Sequence, residues 1–128
     1  MAHMYQLAAD FYLAKEKTGK TLTDINKNNC SECPCKGGRQ LKGLSNSDQC
    51  AGNWNKALFR VYKTIHGRAA VPENFLRDPW GSPYLIHEKE GEPGYPPCTE
   101  DTITSAGPDG IQGTPDDLVQ KIPNNFCR

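Results

Sequence analysis

The chain has 128 residues and a mass of 14.2 kDa, enough for one domain with a modest core and too short for two ordinary ones. Its 15 basic and 15 acidic side chains cancel, which argues against the basic field that recruits nucleic acid and the acidic tail that mimics it. Six cysteines in so short a chain, Cys30, Cys33, Cys35, Cys50, Cys98 and Cys127, favour disulfides made outside the cytoplasm.

The opening residues 1–4, "MAHM", read as vector-derived, leaving residues 5–128 as a single globular domain. With no signal peptide or membrane-length apolar run in view, the expectation is a truncated chain whose targeting segment has been removed. Tyr5–Lys17 predicts a helix, with Leu7, Phe11 and Ala14 on one face, Tyr5, Ala8 and Tyr12 beside them, and Gly19 as the stop. It begins abruptly, as though cut from a longer helix. A short helix is marginal alone in water, so its apolar face must pack on the rest of the domain.

Asn26–Gln49 is rich in Asn, Ser, Gly, Lys and Cys without apolar periodicity, which predicts a long loop held by crosslinks, with residues 30–50 as its cysteine-rich part. Trp54, Ala57, Leu58, Val61, Tyr62 and Ile65 then follow a helical period that ends at Gly67. Strand candidates come next at Tyr84–Glu88, Thr102–Ser105 and Leu118–Ile122, with a Gly/Pro turn region over Gly91–Pro97. Helices first and a small antiparallel sheet afterwards predict an α+β domain.

Cys30, Cys33 and Cys35 cluster in "CSECPC", and Cys50 would complete four sulfurs around zinc. Three disulfides account for all six cysteines and are preferred, with fifteen connectivities open. The expected arrangement pairs Cys98 with Cys127 and leaves the other four to staple the loop to the second helix. A catalytic cysteine would need an activated thiolate and a histidine partner. His66 and His87 read more simply as helix-terminus and surface residues, His3 falls in "MAHM", and Glu88 and Glu90 read as a solvated turn. No GxSxG, HExxH, Walker loop or dinucleotide fingerprint occurs, so an enzyme is not expected.

Residues 101–118 pose a different problem. Asp101, Asp109, Asp116 and Asp117 crowd a stretch that also holds Gly107, Gly110 and Gly113. Hard cations take six to eight oxygens from carboxylates and carbonyls, and Ser105 or Thr114 would add a hydroxyl. Crowded carboxylates repel unless something neutralises them. Ordinary turn chemistry explains "PDG" but leaves Asp116 and Asp117 unexplained. The EF-hand spacing is missing, and calcium is preferred to magnesium because the loop offers many protein oxygens.

"DPWGSPYLI" at Asp78–Ile86, followed by "SAGPDGIQGTPDDL" at Ser105–Leu118, resembles the type II secretion major pseudopilin family and its type IV pilin relatives. The resemblance implies a long N-terminal helix that anchors the subunit in the bacterial inner membrane, is methylated at its native N-terminus, and forms the filament core. It also implies a head of helix packed on a small antiparallel sheet, and a calcium ion pinning the loop after "DPWGSPY". Carried over, it makes Asp109 and Asp117 the first ligand candidates, Ser105 and Asp116 the next, and Asp101 an adjacent one. Trp80, Gly81, Pro83 and Tyr84 would be structural, turning the chain into the sheet while burying Trp80. The Cys30–Cys50 insertion departs from the family pattern and points to a divergent branch. The implied partners are further copies of the chain and other pilins or pseudopilins, in the periplasm or at the cell surface. A secreted calcium-dependent adhesin module with a disulfide-stapled loop is the alternative.

Overall fold

The computed structural model describes residues 2–28, 30–96 and 98–124. Helix α1 covers Ala2–Thr18, α2 Leu22–Asn26 and α3 Gln49–His66, followed by strands β1 (Leu85–His87), β2 (Asp101–Ser105) and β3 (Leu118–Ile122). The domain is therefore α+β, with a three-stranded antiparallel sheet in the order β1-β2-β3. Ile86 pairs with Ile103, and Ile103 with Gln120.

The helices follow their apolar spacing. Met4, Leu7, Ala8, Phe11 and Ala14 are buried along one stripe of α1, at the three- and four-residue intervals that share a helical face. Tyr5, expected beside that face, is 66% exposed. Residues 2–4, read as vector-derived, continue α1, and Met4 packs in the core. Helix α3 begins four residues before the predicted "NWNKAL" run, because the Asp48 carboxylate caps it by accepting from the Cys50 amide at 2.9 Å. Arg39 anchors that cap from the loop through a 2.7 Å contact with the Asp48 carboxylate, which holds Asp48 below the usual carboxylate range.

The main core forms where α1, α3 and one face of the sheet meet. Phe11 stacks on Trp54 with ring centroids 5.7 Å apart, Trp54 meets Tyr84 at 5.5 Å, and the Trp54 indole donates to the Phe75 carbonyl at 3.1 Å. Ile86, Ile103 and Ile122 complete it from the strands. Side chains of a strand alternate between faces, so Leu85 leaves this core and joins Cys35, Leu41, Cys50 and Ala106 in a second cluster. The cysteine-rich segment is thus the cover of the sheet's other face, anchored by Leu41 at 0% exposure. Its lack of periodicity hid that role, since isolated side chains of an irregular loop, Cys35 and Leu41, provide the anchor.

Two expectations are overturned here. Trp80 is only half-buried, and the tryptophan that fills the core is Trp54. Glu88 and Glu90 are buried, at 0% and 4% exposure. The Lys15 ammonium, fully buried, meets Glu90 at 2.6 Å and Asp101 at 3.1 Å, and donates to the Pro123 carbonyl at 2.9 Å. Glu88 instead accepts from the Ser31 amide and hydroxyl and from the Asn26 side-chain amide. Buried charges persist where ionic partners and hydrogen bonds replace water, and those partners come from segments distant in sequence.

Candidate metal centre

The turn of "DPWGSPY" is organised by Asp78, for which sequence reasoning had no role. Its buried carboxylate accepts from the Trp80 amide at 3.0 Å, the Ser82 amide at 2.9 Å and the Ser105 hydroxyl at 2.7 Å. Gly81 turns the chain with φ 89°, and Pro83 and Tyr84 are buried behind it. Burial and the nearby Asp78 charge push the Tyr84 phenol up to about 12. A carboxylate directly before Pro-Trp-Gly, free to accept from amides two and four residues on, is the signal that would have identified Asp78.

The acidic loop runs from Ala106 to Asp117, between β2 and β3. Gly107 holds it shut: its φ is +76°, and a Cβ there would collide with the Asp116 carbonyl. Asp109, Asp116 and Asp117 each bring a carboxylate oxygen within 4.8 Å of the others, all three half-buried. Local donors aim these groups. Asp116 accepts from the Asp109 amide at 3.1 Å and from the Thr114 hydroxyl, Asp117 from the Gly113 amide at 2.7 Å, and Asp109 from the Ile111 amide at 3.0 Å. The Thr114 hydrogen bond, foremost among several, holds the Asp116 carboxyl below its ordinary range.

The other two ligand candidates lie elsewhere in the network. Ser105 donates to Asp78. Asp101 accepts from the Lys89 and Glu90 amides and from Lys15. Of the five residues named from the sequence, the structure groups Asp109, Asp116 and Asp117. It also adds a support unseen in the sequence: the Leu41 amide donates to the Gly110 carbonyl at 2.8 Å, and the Gln40 side chain to the Asp109 carbonyl at 2.9 Å. The cysteine-rich segment therefore braces the acidic loop. Three hard oxygen donors with no thiolate or imidazole among them suit calcium or magnesium chemistry rather than a soft metal.

The cysteines form disulfides at Cys30–Cys33 and Cys35–Cys50, so these four sulfurs are not the thiolates a zinc site requires. Cys35–Cys50 ties the loop to the first turn of α3, as expected, whereas Cys30–Cys33 closes a ring within the loop itself. Cys98 is also disulfide-bonded; the Cys127 half of the expected pair lies outside the described residues. His66 stacks on Tyr62 at 5.8 Å. His87, expected at the surface, is half-buried, its Nδ1 2.6 Å from Glu32 and its Nε2 2.8 Å from the Tyr95 hydroxyl. Burial lowers its pKa, and the Glu32 charge opposes that shift.

Among the described residues, no helix is long and apolar enough to cross a membrane. No protein-family model matches the sequence, no curated protein matches it, and no solved structure matches the fold.

Proposed function

We propose that this chain is the head domain of a filament subunit of the type II secretion pseudopilin or type IV pilin class, stabilised by a calcium ion at Asp109, Asp116 and Asp117. The observation that carries the proposal is the convergence of these three carboxylates in a loop braced by a second segment and placed directly after β2, the second strand beyond "DPWGSPY". A helix lying against α3 and a small antiparallel sheet is compatible with the same reading. The function is mechanical. Ion binding supplies the ordering free energy of a like-charged loop, and the rigid head is then presented outside the cytoplasm by a preceding apolar helix that serves as membrane anchor and filament core. Further copies of the chain, and other pilins or pseudopilins, are its partners. No residue is assigned a catalytic role.

A second reading, a secreted calcium-dependent binding module, is favoured by a polar cleft of about 190 Å³ lined by Asn26, Lys27, Asn53, Lys56 and Arg60. Neutral charge over the whole chain does not preclude local capture of an anionic target there.

Calorimetric titration of the oxidised protein with calcium tests the metal assignment. One ion per chain is expected, with a Kd on the order of 10⁻⁴ to 10⁻³ M as in extracellular modules and a melting temperature raised by roughly 5 °C at ten times Kd. Asp109→Ala/Asp117→Ala should abolish both. Absence of binding up to about 10 mM, well above that range, would reduce the cluster to turn chemistry. Filament assembly of the anchored chain that survives the double replacement unchanged would refute the calcium-dependent mechanism.

A further inference from the structure

We infer that Cys30–Cys33 is a site of thiol–disulfide exchange, taking an external dithiol as its substrate, and that its state controls the clamp on the end of β1. Three observations combine. First, the two described disulfides are sharply unequal in access. Cys35 and Cys50 are each 1% exposed, whereas Cys33 is exposed and Cys30 half-buried. Attack by a thiolate needs an approach to sulfur, and of these two bridges Cys30–Cys33 is the one that offers it. Second, this pair is separated by three residues against fifteen for Cys35–Cys50. So short a ring removes only about half to three-fifths as much freedom from the unfolded chain as the longer one, and the loop is already tied to α3 by that longer bridge. Structural need therefore accounts for it less well than for Cys35–Cys50.

Third, the pair opens on a cleft of about 230 Å³ that is shared with Lys36, His87, Glu92 and Tyr95. His87 sits there with its Nδ1 against Glu32 and its Nε2 against the Tyr95 hydroxyl, so a titratable side chain of the cleft is held by a residue of the ring itself. The residues inside the ring, Ser31 and Glu32, are both buried. They hold Glu88 and His87, through the Ser31 amide at 3.1 Å, the Ser31 hydroxyl at 2.8 Å and the Glu32 carboxylate at 2.6 Å. Opening the ring frees the backbone that presents both clamps.

One thiolate of the dithiol bonds to Cys33 Sγ, the Cys30–Cys33 bond breaks, and its electron pair leaves on Cys30 Sγ, which takes a proton. The second thiolate then attacks the reductant's own sulfur in the mixed disulfide and expels Cys33, which takes the second proton. Two electrons and two protons reach the protein, and the dithiol becomes a disulfide.

The test treats the full oxidised chain with limiting dithiothreitol at about pH 8, where that reagent is partly thiolate. It then traps thiols with iodoacetamide and maps them by peptide mass while circular dichroism reports the fold. Cys30 and Cys33 are expected to be labelled at least about tenfold faster than Cys35 and Cys50, with the helices intact. Prior or equal labelling of Cys35, or of exposed, disulfide-bonded Cys98, overturns the assignment, as does labelling only after global unfolding. Single variants compare the access of the two sulfurs. Cys30→Ser, which leaves Cys33 free, should form a mixed disulfide with oxidised glutathione several-fold faster than Cys33→Ser. The reverse order would reject Cys33 as the entry point. Hydrogen exchange at the Ser31 amide should rise on reduction, and an unchanged rate rejects the coupling to β1.

Discussion

Replacing Lys15 by methionine isolates the least expected feature of the core. The Lys15 ammonium is fully buried and lies 2.6 Å from Glu90 and 3.1 Å from Asp101, themselves 4% and 1% exposed. Methionine retains most of the side-chain volume and removes the charge, leaving two buried carboxylates without their shared cation. Breaking a buried pair from one side costs about 3 to 5 kcal/mol, because the stranded charge keeps its desolvation penalty. With an m-value of roughly 1.5 kcal/mol/M for a chain of this size, the urea midpoint should fall by about 2 to 3 M. The melting temperature should fall by about 12 to 20 °C. The triple variant Lys15→Met/Glu90→Gln/Asp101→Asn removes the charges together and should be more stable than Lys15→Met alone, since no uncompensated ion remains. Unfolding is followed by circular dichroism on oxidised protein, with the disulfides intact. A loss below about 1 kcal/mol for Lys15→Met would place the group in effective contact with water and refute the burial argument. A triple variant weaker than the single one would refute the stranded-charge account.

Gly107→Ala forces a side chain into left-handed backbone and against the Asp116 carbonyl. It should cost about 1 to 3 kcal/mol and weaken calcium binding, read together by urea unfolding and calorimetry; a silent substitution would show that the loop is loose. Removing Cys35–Cys50 by double alanine replacement should cost about 3 kcal/mol, the value for a loop of its length, and clearly more than the same change at Cys30–Cys33; equal losses would contradict the difference in ring size. Burial raises the Glu88 pKa despite its hydrogen bonds from Ser31 and Asn26. The folded state therefore holds the Glu88 proton longer than the unfolded state does, and stability from this group falls as pH rises from about 4.5 through the folded pKa. Glu88→Gln should remove that component, so the stability of the variant relative to wild type should rise across the window. A pH-independent difference between their unfolding free energies would rule it out.

Some of the candidate site was legible before the structure. Asp109, Asp116 and Asp117 stood out because three carboxylates near three glycines exceed what a turn requires, and they do converge. Asp101 and Ser105 looked equivalent in one dimension. Their actual partners, Lys15 from α1 and Asp78 from the turn, lie 86 and 27 residues away. The residue types alone carry no record of which distant donor reaches an oxygen first.

Periodicity determined both long helices, since a three-to-four-residue apolar stripe has one economical burial. Alternation and turn residues likewise located the three strands of the antiparallel sheet. Only the tertiary structure decided that α1 carries a buried cation, that Leu41 seals the sheet's second face, and that Trp54 rather than Trp80 fills the core. Local preference acts over a few bonds, whereas these outcomes depend on which surfaces meet after the chain has closed, and each is set by the partners found there.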